Sequence, residues 1–339
     1  MTSTAAIQVE GLKKIYDGKI LAVDDISFTV QRGETFGFLG PNGAGKTTTV
    51  SMLTAGLRPT VGKAIVDGLD VSHDPDEVKR RIGVIFQEST ADGDLTGREN
   101  LEVAAGCFGI AAAEGRDRSR LLIDQMQLTD AADRLAKTYS GGMRRRLELA
   151  VGLINRPRFL FLDEPTLGLD PQGRAGFWGF IRKLRAEDGL TVFVTTHYLD
   201  EADEMCDRIA IIDHGKIVAT GTPSELKDRV GGDVVSLRTP EGVRDISPIL
   251  SPLAGVTSVQ KQDGTYRVKC QHGETFVPQA VAACTQAGVG VIGVTVKRPS
   301  LDEVFLDYTG REFREDEGPT ATVRAVMIQR IQGQMRGRR

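Results

Sequence analysis

Long apolar runs are absent from this sequence of 339 residues. No stretch reaches the roughly 18 residues that a membrane-spanning helix requires. The nearest candidate, residues 281–296, is interrupted by Thr285, Gln286 and three glycines. The first ten residues have neither a basic segment nor an apolar core, so they do not have the pattern of a secretion signal. We therefore expect a soluble intracellular chain.

Cysteine is scarce, and neither sign of charge is in excess. The four cysteines lie far apart with no CxxC pair, which argues against a zinc site and against a disulfide framework. Lysine and arginine (43) nearly balance aspartate and glutamate (46), for a formal net charge of −3. This balance gives no electrostatic basis for binding nucleic acid, and none is expected as a partner. Glycine is abundant at 39 residues, which indicates loops where the backbone closely approaches another group.

The first two-thirds of the chain alternate short apolar runs with helix-like stretches. This alternation predicts an α/β fold, with a largely parallel sheet covered by helices. Strands are predicted at residues 26–30, 35–39, 81–86, 159–162, 191–195 and 208–212. Helices are predicted at residues 98–107, 143–153, 171–186 and 198–206.

A domain boundary is predicted near Val230, Gly231 and Gly232, which separates residues 1–230 from an accessory domain at 231–310. The accessory domain is predicted to contain strand 234–238, helix 243–251, strands 256–260 and 265–270, helix 276–287 and strand 289–296, before a short helix at 301–308. The order βαββαβ is that of a small ferredoxin-like α+β domain.

Residues 311–339 form a tail of different composition. From Gly318 onwards it contains five arginines and no acidic residue, and apolar residues recur at every fourth position from Val323 to Met335. One interpretation is a basic amphipathic helix that lies on an anionic membrane surface. The other is a solvated, frayed terminus.

Residues 40–47 match the pattern GxxxxGK[ST] and lie between an apolar strand and a helix-like run. In such a loop, backbone N–H groups surround phosphate oxygens and the following helix directs its positive end at them. The Lys46 ammonium suits the β- and γ-phosphates, and the Thr47 hydroxyl suits Mg²⁺. The residues predicted to bind the nucleotide here are Gly40, Pro41, Asn42, Gly43, Ala44, Gly45, Lys46, Thr47 and Thr48.

Two acids, Asp163 and Glu164, directly follow the apolar run 159–162. Asp163 is suited to hold Mg²⁺, directly or through water, and Glu164 to polarise a water molecule that attacks the γ-phosphate. Two acids that merely cap a strand end are the alternative, which the phosphate-binding pattern at 40–47 disfavours.

A second anion-binding helix terminus is predicted at Ser140, Gly141 and Gly142. One ATP does not need two such termini from the same chain. The second makes sense if it covers a nucleotide that is held by another copy of the protein.

These three blocks, in this order, closely resemble the nucleotide-binding subunits of ATP-binding-cassette transporters. GPNGAGKTT resembles the Walker A loop, FLFLDEP the Walker B strand and YSGGMRRRLELA the signature, although Tyr139 and Met143 replace the usual leucine and glutamine. The resemblance implies a P-loop NTPase cassette with a RecA-like core and a helical subdomain at about 90–156.

The same resemblance assigns further site residues. Gln87 resembles the glutamine that senses the γ-phosphate and contacts the metal, and Asp170 lies in a segment that resembles the D-loop at the dimer seam. His197 resembles the switch histidine that contacts the γ-phosphate, and Tyr16 the aromatic residue that stacks on adenine. Glu164, His197, Gln87 and Lys46 are thus the implied catalytic residues, with ATP and Mg²⁺ as cofactors.

The implied assembly is a head-to-tail dimer, most simply of two identical copies, attached to a transmembrane permease on a separate chain. It would be held at the cytoplasmic face of the plasma membrane, with residues 95–100 after Gln87 transmitting motion. The signature together with RPSLDEVFLDYTG at 298–310 resembles the daunorubicin-type drug-resistance ATPases, which implies export of a drug-like or lipid-like compound. An importer motor, or a soluble cassette ATPase that acts on DNA or ribosomes, are the alternatives.

Overall fold

A computed structural model describes residues 5–240, 243–262 and 265–310. The tail at 311–339 and its predicted amphipathic helix lie outside the described residues. The chain divides into two compact units between Val218 and Ala219, which is earlier than the boundary predicted near residue 230. Helix 223–229 belongs to the second unit because it packs on helix 301–309. Each unit has its own hydrophobic core.

The elements before and across this division alternate largely as the sequence predicted. The strands are β1 Ala5–Tyr16, β2 Ile20–Gln31, β3 Thr35–Leu39, β4 Val61–Val66, β5 Leu69–Asp70, β6 Ile82–Ile85, β7 Phe159–Asp163, β8 Thr191–Thr196, β9 Arg208–Asp213 and β10 Lys216–Gly221. The helices are α1 Lys46–Leu53, α2 Pro75–Arg81, α3 Gly97–Cys107, α4 Ala112–Gln125, α5 Gly141–Leu153, α6 Pro171–Asp188 and α7 Leu199–Met205.

The main sheet of the first unit has the strand order β10-β9-β3-β8-β7-β6, and β9, β3, β8, β7 and β6 run parallel. Its central strands are buried along their whole length. Their continuous apolar runs predicted this burial, which is typical of a sheet covered on both faces. The register pairs Leu39 with Thr196 and Asp163 with Thr195. The carboxyl ends of β3, β7 and β8 therefore lie side by side at one edge of the sheet.

A second, antiparallel sheet in this unit has the order β2-β1-β4-β5. Apart from residues 26–30 of β2, sequence reasoning missed it. The pairing of β1 with β2 contains several register shifts, and such bulges interrupt the alternation of apolar and polar residues that identifies a strand. Helix α4 was also missed, because its sequence is mostly exposed and polar.

Helices α3, α4 and α5 pack on one another between β6 and β7 in the chain. Helix α3 begins at a capping box, in which the Thr96 side chain accepts from the Glu99 backbone N–H and the Glu99 carboxylate accepts from the Thr96 backbone N–H. Among the described residues, no helix combines the length and the apolar character needed to cross a bilayer.

The second unit contains α8 Pro223–Arg229, β11 Asp233–Arg238, α9 Ser247–Leu250, β12 Val256–Gln262, β13 Thr265–Cys270, α10 Gly273–Gln286, β14 Gly293–Lys297 and α11 Leu301–Thr309. Its antiparallel sheet has the order β12-β13-β11-β14. This order, with helices after the first and third strands, confirms the predicted ferredoxin-like topology. Helix α9 is shorter than the predicted 243–251, because Pro248 fits the first turn of a helix and starts it there.

The core of the first unit contains a cluster of phenylalanine rings, and Phe193 lies at its centre. Its ring centroid is 5.6 to 6.0 Å from four others, those of Phe28, Phe36, Phe38 and Phe161. We expect Phe193→Ala to lower the free energy of unfolding of this unit by about 3–5 kcal/mol, because it leaves a cavity in a close-packed core.

Urea unfolding followed by tryptophan fluorescence measures this effect, since the single tryptophan, Trp178, is buried in α6 of the same unit. Phe108→Ala is the control, because that ring is 38% exposed. Equal losses in the two variants would contradict the assignment of Phe193 to the core.

Candidate functional site

The loop that follows β3 depends on glycine at three positions. Gly43 and Gly45 have φ values of 84° and 107°, in the left-handed region that favours glycine. A Cβ atom on Gly40 would lie 2.3 Å from the Ile212 carbonyl oxygen, and one on Gly45 would lie 2.5 Å from the Ala22 carbonyl oxygen. Only glycine therefore fits the backbone of this loop at these positions. The loop leads directly into α1, whose first residue is Lys46.

Lys46 is buried at the centre of this loop, with 4% of its surface exposed. Its Nζ donates to the carbonyl oxygens of Gly40 at 2.7 Å and Pro41 at 3.2 Å. The same atom lies 3.1 Å from Oε1 of Glu164. Burial lowers the pKa of Lys46, against the opposing charge of Glu164. The loop thus concentrates one positive charge at the carboxyl edge of the sheet.

Asp163 is the last residue of β7 and is almost completely buried. The Thr195 hydroxyl donates to its Oδ1 at 2.5 Å, and the Thr47 hydroxyl also forms a hydrogen bond with this carboxyl group. Burial raises the pKa of Asp163, while these hydroxyl groups act in the opposite direction by stabilising the ionised form. The structure therefore brings two of the three predicted metal ligands, Thr47 and Asp163, into contact.

Glu164 joins the remaining predicted catalytic residues into one cluster. Its Oε2 lies 3.0 Å from Nδ1 of His197 and accepts from Nε2 of Gln87 at 3.4 Å. Burial alone would raise the pKa of Glu164, but the hydrogen bond from His197 and the charge of Lys46 hold it below its ordinary value. Lys46, Gln87, Glu164 and His197 thus meet at the carboxyl ends of β3, β6, β7 and β8.

Tyr16, the predicted adenine-stacking residue, ends β1 and is 7% exposed. Its hydroxyl lies 3.5 Å from Oγ1 of Thr48, and Nζ of Lys14 lies 5.4 Å from its ring centroid. Tyr16 is therefore next to the helix that follows the phosphate-binding loop. Its role in stacking on adenine stays a prediction.

Ser140 and Asp170 each begin a helix and are exposed on this chain. The Ser140 side chain accepts from the backbone N–H of Met143 at 3.3 Å, and the Asp170 side chain accepts from that of Gly173 at 2.8 Å. A Cβ atom added to Gly141 or Gly142 would meet nothing within 4 Å. These predicted ligands thus form an open surface rather than part of the buried cluster.

Arg145 is a structural residue of the site that sequence reasoning missed. It is 8% exposed, and its guanidinium donates to the carbonyl oxygens of Phe86, Glu164 and Pro165 at 2.9, 3.1 and 2.5 Å. It also donates to the buried Glu148 carboxylate at 2.7 Å. Arg145 thus joins α5 to Phe86, the residue before Gln87, and to Glu164 and Pro165. The signal available in the sequence was an arginine and a glutamate three positions apart in a predicted helix.

Replacing this buried guanidinium tests its structural role. We expect Arg145→Met to lower the free energy of unfolding by about 3–5 kcal/mol, because the buried Glu148 carboxylate and three carbonyl groups lose their partner. Urea titration of the first unit measures the change. Arg144→Met, in the same turn of α5 but more exposed, is the control. A loss no larger than that of the control would contradict the role.

Comparisons with known proteins agree with this geometry. Residues 23–167 match the ABC transporter family, and residues 221–309 match the C-terminal domain of DrrA1-3-like ATP-binding proteins. The daunorubicin/doxorubicin resistance ATP-binding protein DrrA of Streptomyces peucetius is 45% identical over 91% of this chain and 93% of its own length. The Nod factor export ATP-binding protein I of Ralstonia nicotianae is 39% identical over 92% of this chain and 96% of its own length.

Solved structures give the same result. A dimeric ATP-binding cassette in a post-hydrolysis state, bound to ADP and Pi, has a TM-score of 0.59 and 26% sequence identity, and it covers 64% of this chain and 98% of its own. Together with the relatives, it confirms the resemblance that the motifs carried. This chain belongs to the ABC transporter family, as an ATP-hydrolysing cassette subunit with a DrrA-like C-terminal domain.

Proposed function

We propose that this chain is the motor of an exporter for a drug-like or lipid-like compound, with membrane subunits on separate chains. The observation that carries the ATPase part is the cluster of buried Lys46, Glu164 and His197, with the exposed Gln87 in contact with Glu164, next to Thr47 and Asp163. The direction of transport is supported by the relatives, one a daunorubicin and doxorubicin resistance protein and another a Nod factor export protein. These relatives do not favour an importer.

The donor set at the edge of the sheet is suited to Mg²⁺. Thr47 and Asp163 contribute neighbouring oxygen atoms, and the amide of Gln87 lies against the same cluster. Mg²⁺ usually takes one or two protein oxygens and completes its shell with substrate phosphates and water. Within the described residues, no group of three or more histidine, cysteine or acidic side chains is arranged to hold a metal ion by itself. Phosphate oxygens and water would complete the site. Bound Mg²⁺ would neutralise charge on the β- and γ-phosphates.

Lys46 is proposed to bind the phosphates of ATP. Its ammonium is held by two loop carbonyl groups and by Glu164, and phosphate oxygens would replace the Glu164 contact. This exchange releases Oε1 of the carboxylate. A carboxylate oxygen that is free in this way can accept a proton as a general base.

His197 and Gln87 are proposed to hold the base in place while it acts. Both contact Oε2 of Glu164, which leaves Oε1 to accept a proton from the attacking water. The family resemblance adds contacts of both side chains with the γ-phosphate. The main role that follows from this geometry is to orient one carboxylate.

We propose that each ATP-binding site is completed by a second copy of the chain. Ser140, Gly141 and Asp170 are exposed, and α5 presents its positive N-terminal end there. A terminus of this kind suits the γ-phosphate of a nucleotide held by Lys46 of the partner. A homodimer at the cytoplasmic face of the membrane, coupled through residues 95–100, is the arrangement we propose.

Replacing the proposed base tests the mechanism. We expect Glu164→Gln to lower kcat for ATP hydrolysis at least about 100-fold, since an amide cannot accept the proton. ATP binding should persist and the dimer should accumulate. Phosphate release and size-exclusion chromatography with light scattering measure the two effects. Glu204→Gln, an exposed position of α7, is the control. Hydrolysis by Glu164→Gln at the rate of this control would rule out Glu164 as the base.

Recovery of the membrane partner tests the transport function. Glu164→Gln, captured from detergent-solubilised membranes with ATP and Mg²⁺, should bring down a stoichiometric protein with several membrane spans, identified by mass spectrometry. The same capture without ATP is the control. A co-purifying extracytoplasmic binding protein would contradict export. Ribosomal or DNA-binding proteins without any membrane protein would contradict transport altogether.

A further inference from the structure

One buried hydroxyl group links the two acidic residues of the site. Thr195 lies near the carboxyl end of β8 and is completely buried. Its Oγ1 donates to Oδ1 of Asp163 at 2.5 Å and accepts from the backbone N–H of Glu164 at 3.1 Å. One hydroxyl group therefore donates to Asp163 and accepts from Glu164, two consecutive residues with different proposed roles.

The bond to Asp163 acts on the orientation of its carboxyl group. The terminal torsion of an aspartate is broad, so its oxygen atoms are not fixed by rotamer preference alone. The carboxyl group is also buried, where the ionised form needs hydrogen-bond donors. The Thr195 hydroxyl meets both needs, because it donates to Oδ1 and thereby fixes the orientation of the carboxyl group with which Thr47 also forms a hydrogen bond.

The bond to Glu164 acts on the backbone. Glu164 has a φ value of 49°, in the left-handed region that few residues other than glycine adopt. Its N–H is shared between Oγ1 and the carbonyl oxygen of Thr195, each at 3.1 Å. Two acceptors from one residue hold this N–H in place, and they thereby favour the unusual conformation that turns the Glu164 side chain towards Lys46 and His197.

We propose that Thr195 is a positioning residue of the ATPase site, whose hydroxyl orients Asp163 towards the metal and Glu164 towards the attacking water. This inference rests on the roles proposed above for those two acids. Thr195 acts through them and is not itself assigned a contact with substrate. Valine would keep its shape and lose both hydrogen bonds, whereas serine would keep both hydrogen bonds and lose only a methyl group.

The dependence of ATP hydrolysis on Mg²⁺ concentration tests the proposal. Changes next to metal ligands typically weaken metal binding 10- to 100-fold, so Thr195→Val should raise the Mg²⁺ concentration for half-maximal activity by roughly 10-fold and lower kcat. Thr195→Ser should restore the wild-type dependence. Binding of Mn²⁺ with ATP, measured by electron paramagnetic resonance in Glu164→Gln chains, gives the same comparison without hydrolysis.

Thr191→Val is the matched control. Thr191 lies on the same strand, is equally buried, and accepts from the backbone N–H of Gly33 at 2.9 Å. It is about 13 Å from Thr195 along the strand, given a rise of roughly 3.3 Å per residue. Losing its hydroxyl should lower thermal stability and leave the Mg²⁺ dependence unchanged. If Thr195→Val does not fold, Thr195→Cys takes its place in the test, because the cysteine thiol has a similar size and is only a weak donor.

Two results would overturn the inference. One is a wild-type Mg²⁺ dependence in Thr195→Val, and the other is failure of Thr195→Ser to restore it. Asp163→Asn separates this failure from failure of the proposed function. If Asp163→Asn raises the Mg²⁺ requirement while Thr195→Val does not, only the role of Thr195 is wrong. If Asp163→Asn also keeps the wild-type dependence, the metal assignment itself is wrong.

Discussion

The site depends on two acidic side chains that are buried beside polar and charged partners. Asp163 and Glu164 are both largely buried, and a buried charge is costly unless it is paired and hydrogen-bonded. The surrounding side chains provide these partners: Lys46 and His197 for Glu164, and hydroxyl groups for Asp163. The same contacts influence the pKa values of both groups and hold their orientations. Stability of the site and its chemistry therefore depend on one set of interactions.

The parallel sheet makes this arrangement possible. Because β3, β7 and β8 run in the same direction, their carboxyl ends meet at one edge, although β3 lies more than a hundred residues before β7 and β8 in sequence. Arg145 adds a connection from α5 to the same edge through backbone carbonyl groups. The helix that presents Ser140 at its exposed end is thus anchored beside Glu164.

The two units differ in what they contain. The first contains the cluster around Glu164 and leaves Ser140 and Asp170 exposed. The second unit has an independent core around Val235, Leu237 and Tyr266. It matches the C-terminal domain of DrrA1-3-like proteins, and so it distinguishes this chain among cassettes more than the catalytic residues do.

The sequence by itself determined the parts of the protein whose signals are local. Contiguous apolar runs identified the parallel strands, and Lys46, Asp163 and Glu164 were recognisable because each motif lies next to the strand that positions it. The sheet of β1, β4 and β5 was not recognisable, because bulges and long-range pairing obscure its pattern. Arg145 and Thr195 acquire their roles only from partners far away in the chain. Only the tertiary structure decided those roles, since burial and hydrogen bonding depend on which distant segments meet.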